Sequence, residues 1–397
     1  MDRKVVRSWC LYDFGNSAFA ILFPFIYGTY FADHVVGDRG RGGEWWWGLT
    51  MSTSMLAVAV SAPLLGGIAD HSGARKRLLA LYTALGVAAV LAFTSVSPGA
   101  ILPGFLLGAL ANFAFEGGIV FYNAYLPDIA PPSHHGRVSA RGFAVGYVGS
   151  VAALGAAALL LPHLDWIWIA LAAQWALFSL PAFFLLPADR RTGTGVLEAA
   201  KRGLRQTRQT LRSVLRMHDL RRFLLAYFFY MDGVNTAIVF AAVYAKRTLG
   251  FEVGELLTLM AAVQVAALVG SLVMAGPTDV KGPKWTVRLV LLWWIGVVTA
   301  AHFAQTKGAF WAVAVLAGLG LGSIQAASRA FMSRLIPAGR EGELFGFYAL
   351  CGKTGAILGP FLFGQLSVWV GARSAILALA AFYVAGLVLL RKVEIER

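Results

Sequence analysis

Residues 11–31 read LYDFGNSAFAILFPFIYGTYF, with Asp13, Asn16 and Ser17 at the head of an apolar run long enough to enter a bilayer. An unpartnered polar group is costly there, so the placement asks for a reason. Part of the reason lies further along. DFGNSA at 13–18 returns as DGVNTA at 232–237, giving D-x-x-N-[S/T]-A at the head of two apolar runs. GIADHSGAR at 67–75 returns as GPTDVKGPK at 276–284, giving G-x-x-D-x-x-G-x-[R/K]. A weaker echo joins YLPDIAP at 125–131 to RLIPAGR at 334–340. Echoes in the same order in both parts of the chain predict two like halves.

The composition fixes the solvent. The chain is 58% hydrophobic and 14% charged with mean hydropathy +0.68, far from the roughly 25% charge of a soluble domain. Apolar runs of about 20 residues recur along its length, each long enough to cross about 30 Å of hydrocarbon. Twelve spans are expected, from 9–32 and 48–69 to 343–366 and 373–391. They fall six and six about one long basic stretch. The expected fold is an all-α integral membrane protein of twelve transmembrane helices in two pseudo-symmetric six-helix bundles, residues 1–187 and 222–397, joined by 188–221. The basic N-terminus has no small-residue cleavage site after it, so the first span is expected to be retained.

The net charge of +14 is unevenly placed. With the N-terminus inside, 27 of the 34 Lys and Arg fall on the inner side, 6 fall outside, and Lys353 lies within span eleven. That bias predicts both termini cytoplasmic, in a bacterial-type inner membrane. Residues 188–221 read as a basic amphipathic helix on the anionic inner leaflet, or as a solvated basic linker. No aromatic interleaving or reader motif accompanies the charge, so no nucleic-acid partner is expected. The three tryptophans Trp45, Trp46 and Trp47 read as an interfacial anchor.

The spans carry few polar residues, and these are the candidate substrate or coupling groups. Asp13, Asn16, Ser17 and Tyr27 fall at spacings of three or four on one helical face, as do Asp232, Asn235 and Thr236. Span four offers Asn112, Glu116, Tyr122 and Asn123. A buried carboxyl such as Glu116 is a candidate proton carrier. Gln325 lies near the end of span ten, and Lys353 is placed to meet an aspartate or a substrate carboxylate. Polar packing between helices would use the same side chains. Arg329 and Arg334 read as inner-mouth partners of Glu341 or Glu343. The seven histidines lie in loops or at span ends, and no H-E-x-x-H, G-x-S-x-G or P-loop is present, so no enzyme is expected. No metal or cofactor is expected beyond a proton as coupling ion.

The loop GGIADHSGARKR resembles the major facilitator signature G-x-x-x-D-[R/K]-x-G-[R/K]-[R/K], with Gly66, Asp70, Gly73 and Arg75 in place and His71 and Ala74 departing from it. Three longer stretches, WCLYDFGNSAFA, FYNAYLPDIA with GRVSARGFAVGYVGS, and IQAASRAFMSRLIPAGREGELFGFYALCGKTGAILGP, resemble the vacuole effluxer-like branch, whose fungal members export amino acids. The resemblance implies transport of a small polar solute, held near the midplane between two parallel halves. It also implies loop ion pairs that break and re-form as the halves rock, with Asp70, its copy Asp279, Arg329 and Glu343 as gating residues. Turn formation alone would also favour Gly and Asp in these loops. The protein is expected to act as a monomer. The alternatives are a sensor that keeps a transporter fold without flux, or an exporter of hydrophobic, drug-like compounds.

Overall fold

A computed structural model describes residues 1–37, 42–161, 163–188, 214, 216–247, 249–352, 366, 369 and 372–394. These are helical almost throughout, with no strand among them. Nine helices of the described residues are long and apolar enough to cross a membrane. The first half supplies α1 (Arg3–Leu22), α2 (Gly43–Ser72), α3 (Arg75–Ala92), α4 (Ile101–Asn123), α5 (His135–Leu160) and α6 (Leu164–Leu185). The second supplies α7 (His218–Arg247), α8 (Val253–Val280), α9 (Pro283–Phe303), α10 (Lys307–Leu335), α11 (described over 341–352) and α12 (Leu379–Arg391). The linker 188–221 lies mostly outside the described residues, as does Lys353.

The chain divides into two compact units. Unit 1 holds Met1–Ile129, Val145–Thr207 and Ala338–Phe347, while unit 2 holds Ala130–Ala144, Arg208–Pro337 and Tyr348–Arg397. The start of α5 is therefore built into unit 2 and the start of α11 into unit 1. Within unit 1, α1 packs on α6, α3 on α4 and α6, and α2 on α4. Within unit 2, α7 packs on α12, α9 on α10 and α12, and α8 on α10. The two lists match helix for helix, which is the structural form of the sequence repeat.

α1 does not stop at its proline. Pro24 has no N–H for the Ala20 carbonyl, and the helix absorbs the defect by widening into π-helical turns over Phe23–Tyr27 and Tyr30–Val36. The result is one apolar span over Arg3–Val36. Its buried side carries Phe19, Phe23, Tyr27 and Phe31, four residues apart. Their rings follow one another at 4.6, 5.5 and 5.9 Å, and Phe93 stacks on Tyr27 at 3.8 Å. In a bilayer, where lipid is as apolar as leucine, such packing holds helices together, and each ring pair adds roughly 0.5–1.5 kcal/mol beyond area.

Candidate functional site

The polar face of α1 starts deep in unit 1. Asp13 is 7% exposed, and its Oδ2 accepts a hydrogen bond from Tyr122 Oη at 3.0 Å. Tyr122 is itself held in a sandwich, its ring stacked between Trp9 at 4.4 Å and Tyr12 at 5.1 Å, while Trp9 Nε1 donates to the Tyr122 carbonyl. Tyr12 shares a hydrogen bond with Thr83. Asn16 is buried, and its Nδ2 has no hydrogen-bond partner among the described residues. Ser17 is half-buried and its carbonyl accepts from Ser150. Exposure then rises along the same face through Ala20 to Pro24.

Tyr27 leaves that face. The π turn at Phe23–Tyr27 shifts the register, so Tyr27 points into the aromatic column and its hydroxyl donates to the Gly104 carbonyl at 2.6 Å. Regular helical spacing could not foresee a change of pitch.

Along α4 the candidates stand at different depths. Arg75 Nη1 takes the carbonyl of Ala124, two residues past Tyr122, at 2.9 Å. Asp13 thus lies near the end of unit 1 that bears the 67–75 turn. Glu116, buried at 5% exposure, lies ~9 Å further along the axis from Tyr122 at the helical rise. Asn112 lies ~6 Å beyond that, donating to Ser54 Oγ at 2.7 Å. Asn123 is buried.

In unit 2, Asp232 and Thr236 are fully buried and Asn235 is half-buried. Thr236 Oγ1 has no hydrogen-bond partner among the described residues. A tyrosine cluster lies at the preceding turns of α7: Tyr230 bonds Ser328 at 2.7 Å, and Tyr227 stacks on Tyr348 at 4.1 Å. Arg329 is buried over the Phe143 ring and donates to Ser139 through both Nε and Nη2. Gln325, on the same helix, is half-buried.

The repeated loops form two latches of one design. Asp70, at the end of α2, accepts the backbone N–H groups of Gly342 and Glu343 at 3.0 Å each, in the first turn of α11. Asp279, at the end of α8, accepts those of Gly136 and Arg137 at 2.7 and 3.2 Å, in the first turn of α5. A helix start has N–H groups without intrahelical partners and a partial positive charge, so a carboxylate satisfies both. Neither pair of donor positions is legible from the turn motif alone. The shared Gly at 136 and 342, each preceding the latched helix body, is the signal that would have found them.

Unit 1 adds an ionic layer. Arg75 reaches Asp70 at 3.0 Å, Asp128 at 2.6 Å and Glu341 at 3.1 Å. Glu343 meets Arg340 at 3.5 Å. The Asp70 side chain is 1% exposed, and burial pushes its carboxyl up to about 6 while Arg75 and the two N–H groups pull it down. Gly66 is required here for space. A Cβ on it would run into the carbonyl of Gly342, whereas the repeat places Ala275 at the matching position. Gly73, at φ 65°, closes α2 in the left-handed conformation that glycine tolerates.

The structure also redraws one correspondence. The motif aligns Lys284 with Arg75, yet Lys284 Nζ binds the carbonyls of Arg391 and Val393 at the end of α12. That is the work of Lys76 in unit 1, whose Nζ takes the Leu186 carbonyl at the end of α6 at 2.8 Å. Both lysines serve a helix C-terminus, and Arg75 has no structural twin among the described residues of unit 2.

Comparison with known proteins agrees with this architecture. Residues 48–397 match the family model described as "Vacuole effluxer Atg22 like". An uncharacterized MFS-type transporter of Bacillus subtilis, YxiO, is 31% identical over 417 residues, covering 99% of this chain and 95% of the relative. Autophagy-related protein 22-1 of Penicillium rubens is 22% identical, covering 88% of this chain and 75% of the relative. Among solved structures, the human organic anion transporter MFSD10 (TETRAN) superposes with TM-score 0.80 at 16% identity, covering 98% of this chain and 100% of its own. A bacterial homologue of the iron transporter ferroportin in its outward-facing state gives 0.73 at 16% identity, covering 98% of each. The fold shared with these two is the twelve-helix major facilitator fold. A multi-pass chain with duplicated latches, matched over nearly its whole length by a transporter and its family, belongs to the vacuole effluxer Atg22-like family of major facilitator transporters.

Proposed function

We infer that this transporter moves a small polar solute, an amino acid, by alternating access coupled to protons. The observation that carries the reading is the pair of matched faces on α1 and α7. Each sets a buried aspartate beside an amide and a hydroxyl, and each leaves one buried polar atom, Asn16 Nδ2 and Thr236 Oγ1, without a partner among the described residues. A buried polar group held without a partner costs about 1–3 kcal/mol, a cost that a ligand with complementary groups removes. A zwitterion offers an acceptor for the amide and an ammonium for a carboxylate. The family's description as a vacuole effluxer supports movement of a solute across the membrane, and the amino-acid reading rests on the two polar faces.

Asp13, Glu116 and Asp232 are the coupling candidates, each a buried carboxyl well inside a span among the described residues. The two latches serve as gates, with Gly66, Gly73 and Arg75 shaping the first. The inward bias of positive charge supports a plasma-membrane location with both termini in the cytoplasm, and the chain works as a monomer. A thermal-shift screen of the purified protein against amino acids, peptides, sugars and drugs identifies the ligand, and counterflow with the hit establishes flux. Uptake into proteoliposomes is then expected to rise with a proton gradient and to lose that response in Glu116→Gln. Uptake indifferent to the gradient and to Glu116→Gln overturns the coupling; ligand binding with no counterflow overturns transport in favour of a sensor.

A further inference from the structure

At the turn between α8 and α9, unit 2 presents a face that no function described above uses. Lys281 caps α8, and its ammonium stands 4.3 Å from the centre of the Trp285 ring, close enough for a cation–π contact. One turn further on α9, Arg288 is exposed, and the same face continues through Leu289, Leu292 and Trp293, all exposed. Positions 285, 288, 289, 292 and 293 recur at helical spacing, so they form one stripe. It is cationic at its turn end and apolar for ~12 Å from Trp285 to Trp293 at the helical rise.

The charges of the neighbourhood are sorted. Asp279 is occupied by the α5 start with its side chain 4% exposed. Asp219 accepts the Glu394 N–H, and Lys284 is turned toward the end of α12. Lys281 and Arg288 are exposed, and neither forms an ion pair with a carboxylate among the described residues. Val280, 79% exposed beside Lys281, puts an apolar side chain at the same level. The matching turn of unit 1 has Arg75, Lys76 and Arg77 but no tryptophan, so the arrangement belongs to one half and does not follow from the shared fold.

We propose that this face is a binding site for one anionic phospholipid. Its phosphate lies on Lys281 and Arg288, Trp285 sits at the headgroup boundary, and an acyl chain follows Leu289, Leu292 and Trp293. The charge complementarity selects an anionic headgroup over a zwitterionic one, since two cations near a membrane surface each favour an anionic lipid about fivefold. Trp285 holds Lys281 over its ring, which fixes the cation where a phosphate meets it.

The test uses the full chain in nanodiscs of phosphatidylcholine carrying a small fraction of either brominated phosphatidylglycerol or brominated phosphatidylcholine. The fluorescence of the native chain minus that of Trp285→Phe isolates Trp285. Its quenching is expected to be on the order of twentyfold more sensitive to the brominated anionic lipid, and the double variant Lys281→Gln, Arg288→Gln is expected to lose the preference while keeping its thermal unfolding temperature. Soluble glycerophosphate is expected not to displace the lipid. Equal quenching by both lipids in the native chain, a preference that survives the double variant, or displacement by glycerophosphate overturns the proposal.

Discussion

The two latches use one carboxylate in one way and differ in everything around it. Asp70 and Asp279 each accept two consecutive N–H groups at a helix start. Around Asp70 there is a tight backbone approach at Gly66 and an arginine shared with two further carboxylates. Around Asp279 there is Ala275 in place of that glycine, and a half-exposed Arg137 at 3.5 Å. The backbone contact is the element both halves keep, because any helix start supplies it. The ionic layer is an addition to one half, and it gives the first latch more partners for a single change to remove.

Four experiments test that contrast, the largest effect first. Gly66→Ala is expected to cost about 3 kcal/mol or more, because its Cβ meets backbone that cannot turn aside. Gly276→Ala, with open space around it, is expected to be within about 0.5 kcal/mol of neutral. Thermal unfolding of both in one detergent checks the pair, and equal losses would dissolve the asymmetry. Arg75→Ala comes next at about 3 kcal/mol, since it removes the cation shared by Asp70 and Glu341, with side chains 1% and 8% exposed. Lys284→Ala is expected to cost about 0.5–1 kcal/mol, the value of a cation at a helix C-terminus.

The third experiment is a pH series. Asp70 titrates near 6 in the folded protein and near 3.9 when unfolded. The folded state therefore binds the extra proton between about pH 4 and 6. Its contribution to stability is fully present below about pH 4 and is lost as pH rises through 6, amounting to roughly 3 kcal/mol at 1.36 kcal/mol per unit. Asp70→Asn is expected to flatten this slope while keeping one acceptor for the α11 start. A slope unchanged in Asp70→Asn assigns the titration to another group. The smallest effect is Tyr122→Phe, at about 1.5 kcal/mol for a hydrogen bond to a carboxylate. The stacked ring is kept, so a loss well above that value would mean that the hydroxyl also supports the Ala124 turn taken by Arg75.

The site was partly legible in the chain. The pairs Asp13/Asp232 and Asp70/Asp279 follow from the repeated hexapeptide and loop, because equal residues at equal places in a duplication take equivalent positions on their helices. Tyr27 did not follow, since Pro24 changed the pitch between it and Asp13. Tyr122 appears in the sequence as one polar residue among several on span four, and only packing makes it the partner of Asp13 between Trp9 and Tyr12. The motif also set Lys284 against Arg75, and the contacts reassign it to the role of Lys76.

The solvent, the number of spans, the duplication and the family are readable along the chain, since all of them rest on composition, period and order. Those properties are local or statistical, so they survive without knowledge of contacts. The exchange of helix starts, by which α5 opens in unit 2 and α11 in unit 1, and the partners that each aspartate finds there come from long-range contacts. The N–H groups that hold Asp70 and Asp279 belong to the backbone, so the aspartates' own motif does not name them and only the glycines among them, Gly342 and Gly136, mark their place in the chain.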